Sequence, residues 1–319
     1  MGRAEPQMDR STDHFVQGPK RRKRGGRRAR REAALAYVML APSVVLFAIF
    51  VFFPFGKNFQ LPFYRQSTAS GFGTFGGKTR WVGWTQWKEV LSSVDFRHSL
   101  WVTVKFVVMT VPLGIGLGLL LAVLAHQRLR GITIFRTIFS STVASSAAVA
   151  ATVFFSLIGT ESGLWKLRIN GHSLLEDPTW ALPALALVAV WQSLGLSFIV
   201  MSSGLQAIPD DLLEAARVDG AGSVRTFWKV TLPLLSPTIY FAGVVGLISS
   251  FKTFTEIDLL TPDGGTAKST DVLAFHIKQE AFDNSHPGRA AVFATGLFVV
   301  VLLLTLVQTR MERRVHYAR

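Results

Sequence analysis

The sequence predicts an all-α, polytopic membrane protein with six transmembrane helices and both termini in the cytoplasm. Three observations indicate this fold class. Hydrophobic residues make up 49% of the 319 residues and charged residues only 17%, whereas soluble domains contain about 25% charged residues. The apolar residues are concentrated in six long blocks, and the basic residues are distributed unequally between the segments that join them. The high apolar content also excludes disorder for most of the chain.

Each block is long enough to cross a bilayer, since roughly 20 apolar residues span about 30 Å of hydrocarbon. The predicted spans are residues 33–56, 99–125, 137–158, 181–205, 230–251 and 290–309. The first, third and fourth contain no charged residue, and the second contains one, Lys105. The fifth is uncharged but holds Pro233 and Pro237, which we expect at an entrance because proline interrupts the interior of a helix. The sixth is uncharged and dense in valine and leucine.

A large soluble helical protein is the alternative to this fold. It is not expected, because buried core helices seldom run past 20 uncharged residues six times in one chain.

The distribution of lysine and arginine predicts the orientation of the spans. With a cytoplasmic N-terminus, the inside segments are 1–33, 126–136, 206–229 and 310–319, and they contain 21 basic residues. The outside segments contain 12 although they are longer in total. Because basic residues favour the cytoplasmic side of a membrane, both termini are expected there.

Residues 1–32 are predicted to form a disordered, basic cytoplasmic arm. Nine of the twelve residues from Lys20 to Arg31 are basic. Nucleic acid is not an expected partner, since no folded reader or interleaved aromatic residues accompany the run. We expect the arm to contact anionic membrane lipid, with each basic residue adding about 1 kcal/mol near the surface. The first span is too long for a signal-peptide core and is expected to remain uncleaved.

Common catalytic and metal-binding signatures are missing from the sequence. The chain has no cysteine, which excludes disulfides and Cys-ligated metal sites. Its seven histidines form no H-E-x-x-H, and no G-x-S-x-G is present. The glycine-rich run 71–79 nearly matches a phosphate-binding loop, but Phe72 stands where that motif requires glycine, so a flexible loop is predicted. We therefore expect no catalytic residue and no metal site.

Two other patterns favour packing. Gly114 and Gly118 in the second span form a G-x-x-x-G step, which predicts close approach of a neighbouring helix. Trp81, Trp84 and Trp87, in the loop after the first span, suit either the lipid headgroup boundary or packing on a neighbour.

The segment between the fourth and fifth spans, residues 206–233, predicts two short helices around a glycine. Pro209 suits a helix start, and Gly220 suits a left-handed helix stop. Ser223 is expected to cap the second helix, which ends at Pro233. The first helix is too short to be stable alone in water, so it needs a partner surface.

A helix-in-groove contact is one interpretation of this segment. The apolar ridge would consist of Leu212, Leu213, Ala216, Val218 and Ala221. A linker on the membrane surface that contacts nothing is the other interpretation, and spacing alone does not separate the two.

A resemblance favours the helix-in-groove contact. The run Glu214-Ala215-Ala216-x-x-Asp219-Gly220-Ala221, followed by Phe227, Lys229, Leu232-Pro233 and Pro237, resembles the EAA loop of permease subunits of binding-protein-dependent ABC importers. The runs Ala207-Ile208-Pro209 and Leu259-Leu260-Thr261-Pro262-Asp263-Gly264-Gly265 resemble the carbohydrate branch of that family. The runs Val307-Gln308-x-Arg310 and Arg314-Val315-x-Tyr317 resemble its glycerol-3-phosphate members. The resemblance covers about residues 33–319, which would form the transmembrane permease domain.

The resemblance implies a permease subunit, in a bacterial cytoplasmic membrane, for a sugar or glycerol-3-phosphate-type solute. It implies a second homologous permease, two ABC ATPase subunits and an extracytoplasmic solute-binding protein as partners. The chain itself would bind no cofactor and have no ATPase site, because the partner subunits use the ATP. The residues that would couple it to the ATPase are Glu214, Ala215, Ala216, Asp219, Gly220 and Ala221. Glu214 would anchor this helix, and Gly220 would permit its bend.

Polar residues in and beside the fourth and fifth spans are candidates for the solute pathway, because polar groups are costly in hydrocarbon. Alignment with maltose-type permeases of the family points to the same region. The candidates are Gln192, Ser193, Ser197, Gly246, Ser249, Ser250, Lys252 and Thr255. Lys252 and Glu256 are four residues apart, so either they pair with each other or Lys252 attracts an anionic solute such as a phosphate ester. The serines of the third span, from Ser140 to Ser146, are expected to pack helices.

The alternative functions are an ATP-independent secondary transporter, a membrane enzyme and a structural membrane anchor. Ion-coupled carriers are expected to contain intramembrane carboxylates and repeated halves. None of the predicted spans contains a carboxylate, and no internal repeat is evident.

Overall fold

The computed structural model describes residues 26–66, 79–126, 131–159, 168–169 and 172–312. The chain divides into two units, residues 1–56 and 57–319. Three predicted features lie outside the described residues. They are the basic arm up to residue 25, the glycine-rich run up to residue 78, and the tail from residue 313, which includes Arg314 and Tyr317.

The described part of the first unit is an apolar helix. α1 spans Gly26–Phe47 and continues through a π-helical turn, Ala48–Phe52, into α2, Phe53–Gln60, whose first residues complete the unit. From Arg30 onward every side chain of this unit is exposed. Because this exposed surface is mostly apolar, the helix requires lipid or another protein around it.

The second unit is mostly helical. Its elements after α2 are β1 (Tyr64–Gln66), β2 (Thr79–Trp81), α3 (Thr85–Leu91), α4 (Val94–Ala125), α5 (Ile132–Ser141), α6 (Ala147–Ile158), β3 (Arg168–Ile169), β4 (His172–Ser173), α7 (Ala181–Gln206), α8 (Asp210–Val218), α9 (Ser223–Thr226), α10 (Leu232–Leu234), α11 (Ser236–Phe251), α12 (Thr255–Leu260), α13 (Leu273–Lys278) and α14 (Pro287–Glu312). The strands form two separate antiparallel pairs, β1 with β2 and β3 with β4. The all-α prediction missed these pairs, which contain two or three residues a strand.

Four helical segments of the described chain are long and apolar enough to cross a membrane: Arg30–Phe63, Val94–Ala125, Ala181–Gln206 and Pro287–Arg310. Two bent pairs reach that length only when their halves are taken together. α5 and α6 meet at 107°, and the helical segment Ser223–Leu234 meets α11 at 64°. The described residues thus contain four candidate spans, or six if each bent pair is one span. The third span was predicted as one helix over residues 137–158, but the chain turns sharply inside it, between α5 and α6.

Hydroxyl side chains build the turn between α5 and α6. Ser145 Oγ donates to the carbonyl oxygen of Thr142 over 2.8 Å. Ser146 has an extended backbone, and its Oγ accepts a hydrogen bond from the Val149 amide at 3.3 Å, which caps α6. Short hydroxyl side chains compete with helical hydrogen bonding in this way. These two serines therefore form the turn and the cap, rather than the helix packing that was expected.

Glycines allow α4 and α7 to approach closely. A Cβ atom on Gly114 would lie 2.7 Å from Ser193 Oγ, and one on Gly118 would lie 2.5 Å from Ser197 Cβ. A Cβ on Gly116 would meet no atom within 4 Å. The G-x-x-x-G prediction of a close helix contact is confirmed for Gly114 and Gly118.

Trp81, Trp84 and Trp87 lie around the ring of Phe63. The Phe63 ring stacks on Trp81 with centroids 5.4 Å apart and meets Trp84 edge-on at 5.1 Å. Trp87 also packs against a buried cluster that includes Val90. All three tryptophans thus pack on a neighbour, although Trp81 and Trp84 remain 61% and 65% exposed.

Candidate functional site

The helix α8 begins and ends at the residues that the sequence indicated. Pro209 precedes it with an extended backbone, and Asp210 and Asp211 occupy its first turn, where negative charge is stabilised by the helix dipole. At the other end, Gly220 adopts a left-handed conformation with φ of 74°. The Gly220 amide donates to Arg217 and the next amide, that of Ala221, donates to Ala216, each over 3.0 Å. This pair of hydrogen bonds forms a Schellman motif, which places glycine at the left-handed position.

α8 has a buried side and an exposed side. Leu213 packs against an apolar cluster, here named the coupling-loop cluster, that lies where α4, α7 and α11 come together. Its members are Ala122, Ala125, Phe198, Met201, Leu205, Ile208, Leu235 and Ala242. Ala216 is buried as well, at 8% exposure. Among the other predicted coupling residues, Glu214, Ala215, Asp219 and Gly220 are exposed, and Ala221 is half-buried.

The single apolar ridge expected on this helix is not formed. Leu213 and Ala216 point into the protein, whereas Leu212 is 41% exposed and Val218 is 88% exposed. Consecutive residues of a helix lie about 100° apart, so Leu212 and Leu213 belong to different sides. The exposed surface that is available to a partner therefore includes Leu212, Glu214, Ala215 and Val218.

The second helix of the loop also differs in detail from the prediction. Gly222, with an extended backbone, is its N-cap, and Ser223 is the first helical residue, so the prediction that Ser223 caps the helix is wrong. A π-helical turn, Phe227–Thr231, joins α9 to α10, and the chain bends at Leu235. The bend lies between Pro233 and Pro237.

A cavity of about 400 Å³ lies among α4, α7, α11 and the turn between α5 and α6. All eight predicted solute-pathway residues line it: Gln192, Ser193, Ser197, Gly246, Ser249, Ser250, Lys252 and Thr255. Small-ligand sites have volumes of about 300–1,000 Å³, so the cavity has room for a small solute.

Sequence reasoning missed part of this cavity wall. Thr110 and Ile115 come from α4, and Thr142 and Ser145 come from the turn between α5 and α6. For α4, the G-x-x-x-G pattern was the available signal. Close contact between α4 and α7 places the residues beside Gly114 next to the cavity that α7 also lines. The hydroxyl residues from Ser140 to Ser146 were the available signal for the turn, because short hydroxyl side chains compete with helical hydrogen bonding.

Several hydroxyl groups that line the cavity donate their proton to a backbone carbonyl of the protein. Ser193 Oγ donates to the Val190 carbonyl at 2.9 Å, and Ser145 and Thr142 donate to backbone carbonyls in the same way. Thr110 Oγ1 donates to the Phe106 carbonyl at 2.8 Å and lies 2.9 Å from Ser250 Oγ. A hydroxyl has one proton and two lone pairs. This part of the wall therefore offers hydrogen-bond acceptors to a solute.

Lys252 and Glu256 alone bear a formal charge among the described residues that line the cavity, and they differ in surroundings. α11 ends at Phe251 and α12 begins at Thr255. The two side chains therefore do not share one helix, and of the two alternatives for Lys252, pairing with Glu256 at helical spacing is not observed. Lys252 is exposed, whereas Glu256 is 5% exposed. Glu256 lies beyond the candidate spanning helices, and burial raises the pKa of its carboxyl above 4.5, against a backbone hydrogen bond that lowers it.

Gln192 holds Glu256 in place. In the amide orientation that satisfies both partners, the Gln192 nitrogen donates to Glu256 Oε1 over 2.8 Å. Its oxygen accepts from the Ala147 amide at 3.0 Å. Gln192 thus links α7 to the start of α6 and to α12. In the described part of the chain, no group of three His, Asp or Glu side chains is arranged to hold a metal ion.

The chain matches the family model described as "Binding-protein-dependent transport system inner membrane component" over residues 114–317. It is 34% identical over 290 residues to the sn-glycerol-3-phosphate transport system permease protein UgpA of Brucella suis, which covers 89% of this chain and 97% of that protein. It is 33% identical over 291 residues to the probable ABC transporter permease protein YesP of Bacillus subtilis, which covers 88% and 91% of the two chains.

Two solved structures share the fold. One is a bacterial ABC transporter involved in import of the acidic polysaccharide alginate, with a TM-score of 0.76, 22% identity and coverage of 90% of this chain and 98% of that chain. The other is a bacterial alginate ABC transporter in complex with an alginate pentasaccharide-bound periplasmic protein, with a TM-score of 0.75, 22% identity and coverage of 90% and 96%.

Proposed function

Since the chain belongs to the family of binding-protein-dependent transport system inner membrane components, and is a permease subunit of an ABC importer for a sugar or glycerol-3-phosphate-type solute, we propose that it forms the translocation pathway together with a second permease. Two separate ABC ATPase subunits use the ATP, and this chain has no ATPase site of its own. An extracytoplasmic binding protein delivers the solute.

In the proposed topology each bent pair is one span, which makes six spans with both termini in the cytoplasm. The excess of lysine and arginine in the segments assigned to the inside supports this orientation. It puts α8 on the cytoplasmic side, between the fourth and fifth spans, where ATP is available to a partner subunit.

The proposed coupling element is α8, and the proposal depends on the observation that this helix has one side packed against the bundle and the other side exposed. Its exposed side, with Glu214 and Val218, is free to enter a groove of an ATPase subunit. Its inner side is fixed by Leu213 and Ala216 to the bundle. A helix held in this way moves with the ends of α4, α7 and α11 rather than independently of them.

ATP-driven closure of the ATPase pair would pull α8 as a rigid lever. The movement would reach the coupling-loop cluster first, because Leu213 contacts it directly. Leu235, a member of that cluster, is also where the chain bends before α11. We propose that this bend converts the displacement of α8 into a change of the cavity, since α11 contributes Gly246, Ser249 and Ser250 to the wall.

Surface substitutions on α8 test the coupling proposal in the co-expressed four-subunit complex. Glu214→Lys and Val218→Asp are expected to lower the amount of co-purified ATPase by at least about tenfold, because each puts an unfavourable charge on the docking side. The two permeases should remain together. Val94→Asp is the matched control, since Val94 is 71% exposed at the far end of α4 from the coupling-loop cluster. If both α8 variants retain the ATPase and full uptake, the coupling assignment is wrong.

A further inference from the structure

The charge of the cavity comes from Lys252 and not from an ion pair between Lys252 and Glu256. The Glu256 carboxylate is buried and accepts a hydrogen bond from Gln192. Lys252 is exposed in the cavity lining, and within the described part of the chain no carboxylate forms an ion pair with it. A solute that enters the cavity therefore meets a free ammonium group and a carboxylate that already has a partner.

The polar wall complements this ammonium group. Ser193, Thr142, Ser145 and Thr110 have given their protons to backbone carbonyls, so their oxygens accept hydrogen bonds but do not donate them. Such a wall suits the hydroxyl groups of a polyol. These four oxygens do not suit an anionic group, which needs donors. Lys252 supplies up to three donors and a positive charge.

We infer that Lys252 determines the charge selectivity of the pathway, so that the cavity takes a small polyol with one phosphate ester, its phosphate on Lys252 and its hydroxyls against the hydroxyl wall. This inference rests on the proposed role of the cavity as the solute pathway. It assigns the anionic end of the solute to one residue and disfavours neutral sugars. The aromatic residues in the lining, Phe241 and Phe254, do not change this charge preference.

The test uses the absence of native cysteine. Ser249→Cys introduces a single thiol into this chain, at an exposed position of the cavity wall. In the assembled complex, its rate of reaction is measured with an anionic sulfonatoethyl and a cationic trimethylammonioethyl methanethiosulfonate, by mass spectrometry of this chain. The ratio of the two rates reports the local electrostatic potential. A change in the reactivity of the thiol itself would alter both rates by the same factor and would leave their ratio unchanged.

Lys252→Gln in this background is expected to lower the anionic-to-cationic ratio by about tenfold, because a nearby unit charge acts with opposite sign on the two reagents. Lys252→Arg should restore the ratio. The control is Lys105→Gln, since Lys105 lies over the Trp101 ring at 5.3 Å and outside the cavity lining. An unchanged ratio in Lys252→Gln would overturn the inference.

Solute protection gives the second readout. We expect sn-glycerol 3-phosphate to slow labelling of Ser249→Cys at least about fivefold, and glycerol at the same concentration to have no effect. Protection should be lost in Lys252→Gln. Equal protection by glycerol, or by inorganic phosphate, would refute the paired recognition of phosphate and polyol. These outcomes leave the coupling of α8 to the ATPase untouched, and that coupling fails or stands on the Glu214 and Val218 variants alone.

Discussion

The Gln192 amide nitrogen lies 2.8 Å from Oε1 of Glu256, and the same amide accepts a hydrogen bond from the backbone of Ala147 at 3.0 Å. One side chain of α7 thus joins the element that follows α11 to the second half of the bent α5–α6 pair. Both junctions border the cavity. Any relative movement of these helices must break or carry along this link.

Gln192→Leu is expected to destabilise the assembled complex by about 1–3 kcal/mol, because it leaves the buried Glu256 carboxylate and the Ala147 amide without their partner. The measurement is thermal unfolding of the complex in detergent, followed by intrinsic tryptophan fluorescence. Gln192→Glu is not a suitable control, since it would add a second carboxylate. Ser203→Ala is suitable, because Ser203 is on the same helix and its Oγ donates only to the Ile199 carbonyl. An unchanged midpoint in Gln192→Leu would contradict the assigned amide orientation.

Stability is expected to depend on pH through Glu256. Its pKa is raised by burial, so the folded state binds the proton more tightly than the unfolded state does. This contribution is fully present below pH 4.5, decreases as the pH rises through the raised pKa, and is then constant. Glu256→Gln mimics the protonated form and should remove this dependence, so that the variant exceeds the wild type in melting temperature at pH 8 but not at pH 4.5. Parallel curves for the two proteins would contradict the pKa direction.

The glycine contact between α4 and α7 is expected to be intolerant of added volume. Gly118→Ala would put a methyl group 2.5 Å from Ser197 Cβ, and such overpacking typically costs about 1–3 kcal/mol. Gly116→Ala, two residues away on the same helix, meets no atom within 4 Å and should be neutral or stabilising by up to about 1 kcal/mol. Thermal unfolding of the two variants gives the comparison. Equal stabilities would mean that the helices are not in close contact at Gly118.

Backbone conformation at the end of α8 is expected to matter more than space. A Cβ on Gly220 would meet no atom within 4 Å, but the residue has φ of 74°. Gly220→Ala should therefore cost about 1–2 kcal/mol through its left-handed backbone, and Gly220→Pro should abolish the stop. The reporter is ATPase stimulation by loaded binding protein, which we expect to fall in the order wild type, Gly220→Ala, Gly220→Pro. Gly222→Ser is the control, since that site is also open, its backbone is extended, and serine is a favourable N-cap residue.

The sequence was sufficient for local features that a few neighbouring residues determine. The bounds of α8, the left-handed Gly220 and the close approach at Gly114 and Gly118 all follow from helix capping, backbone conformation and side-chain size. Pro233 and Pro237 similarly indicated a helix interruption, which the structure locates at Leu235. The bend inside the third span was not predicted, because hydropathy does not register Ser145 and Ser146 as a turn and a cap.

Chain composition and the distribution of polar residues thus determined the apolar segments and the polar residues of the fourth and fifth spans, and the coupling loop was recognised by its resemblance to the EAA loop. Only the tertiary structure decided which of these residues meet. Leu212 and Leu213 are equally apolar, yet packing against helices distant in sequence partly buries Leu213 and leaves Leu212 exposed. Lys252 and Glu256 have helical spacing, but the chain leaves the helix between them, and Gln192 from another helix takes the acid and leaves the lysine free. Contacts between distant segments depend on how helices pack, and a local pattern contains no information about which distant partner will be adjacent.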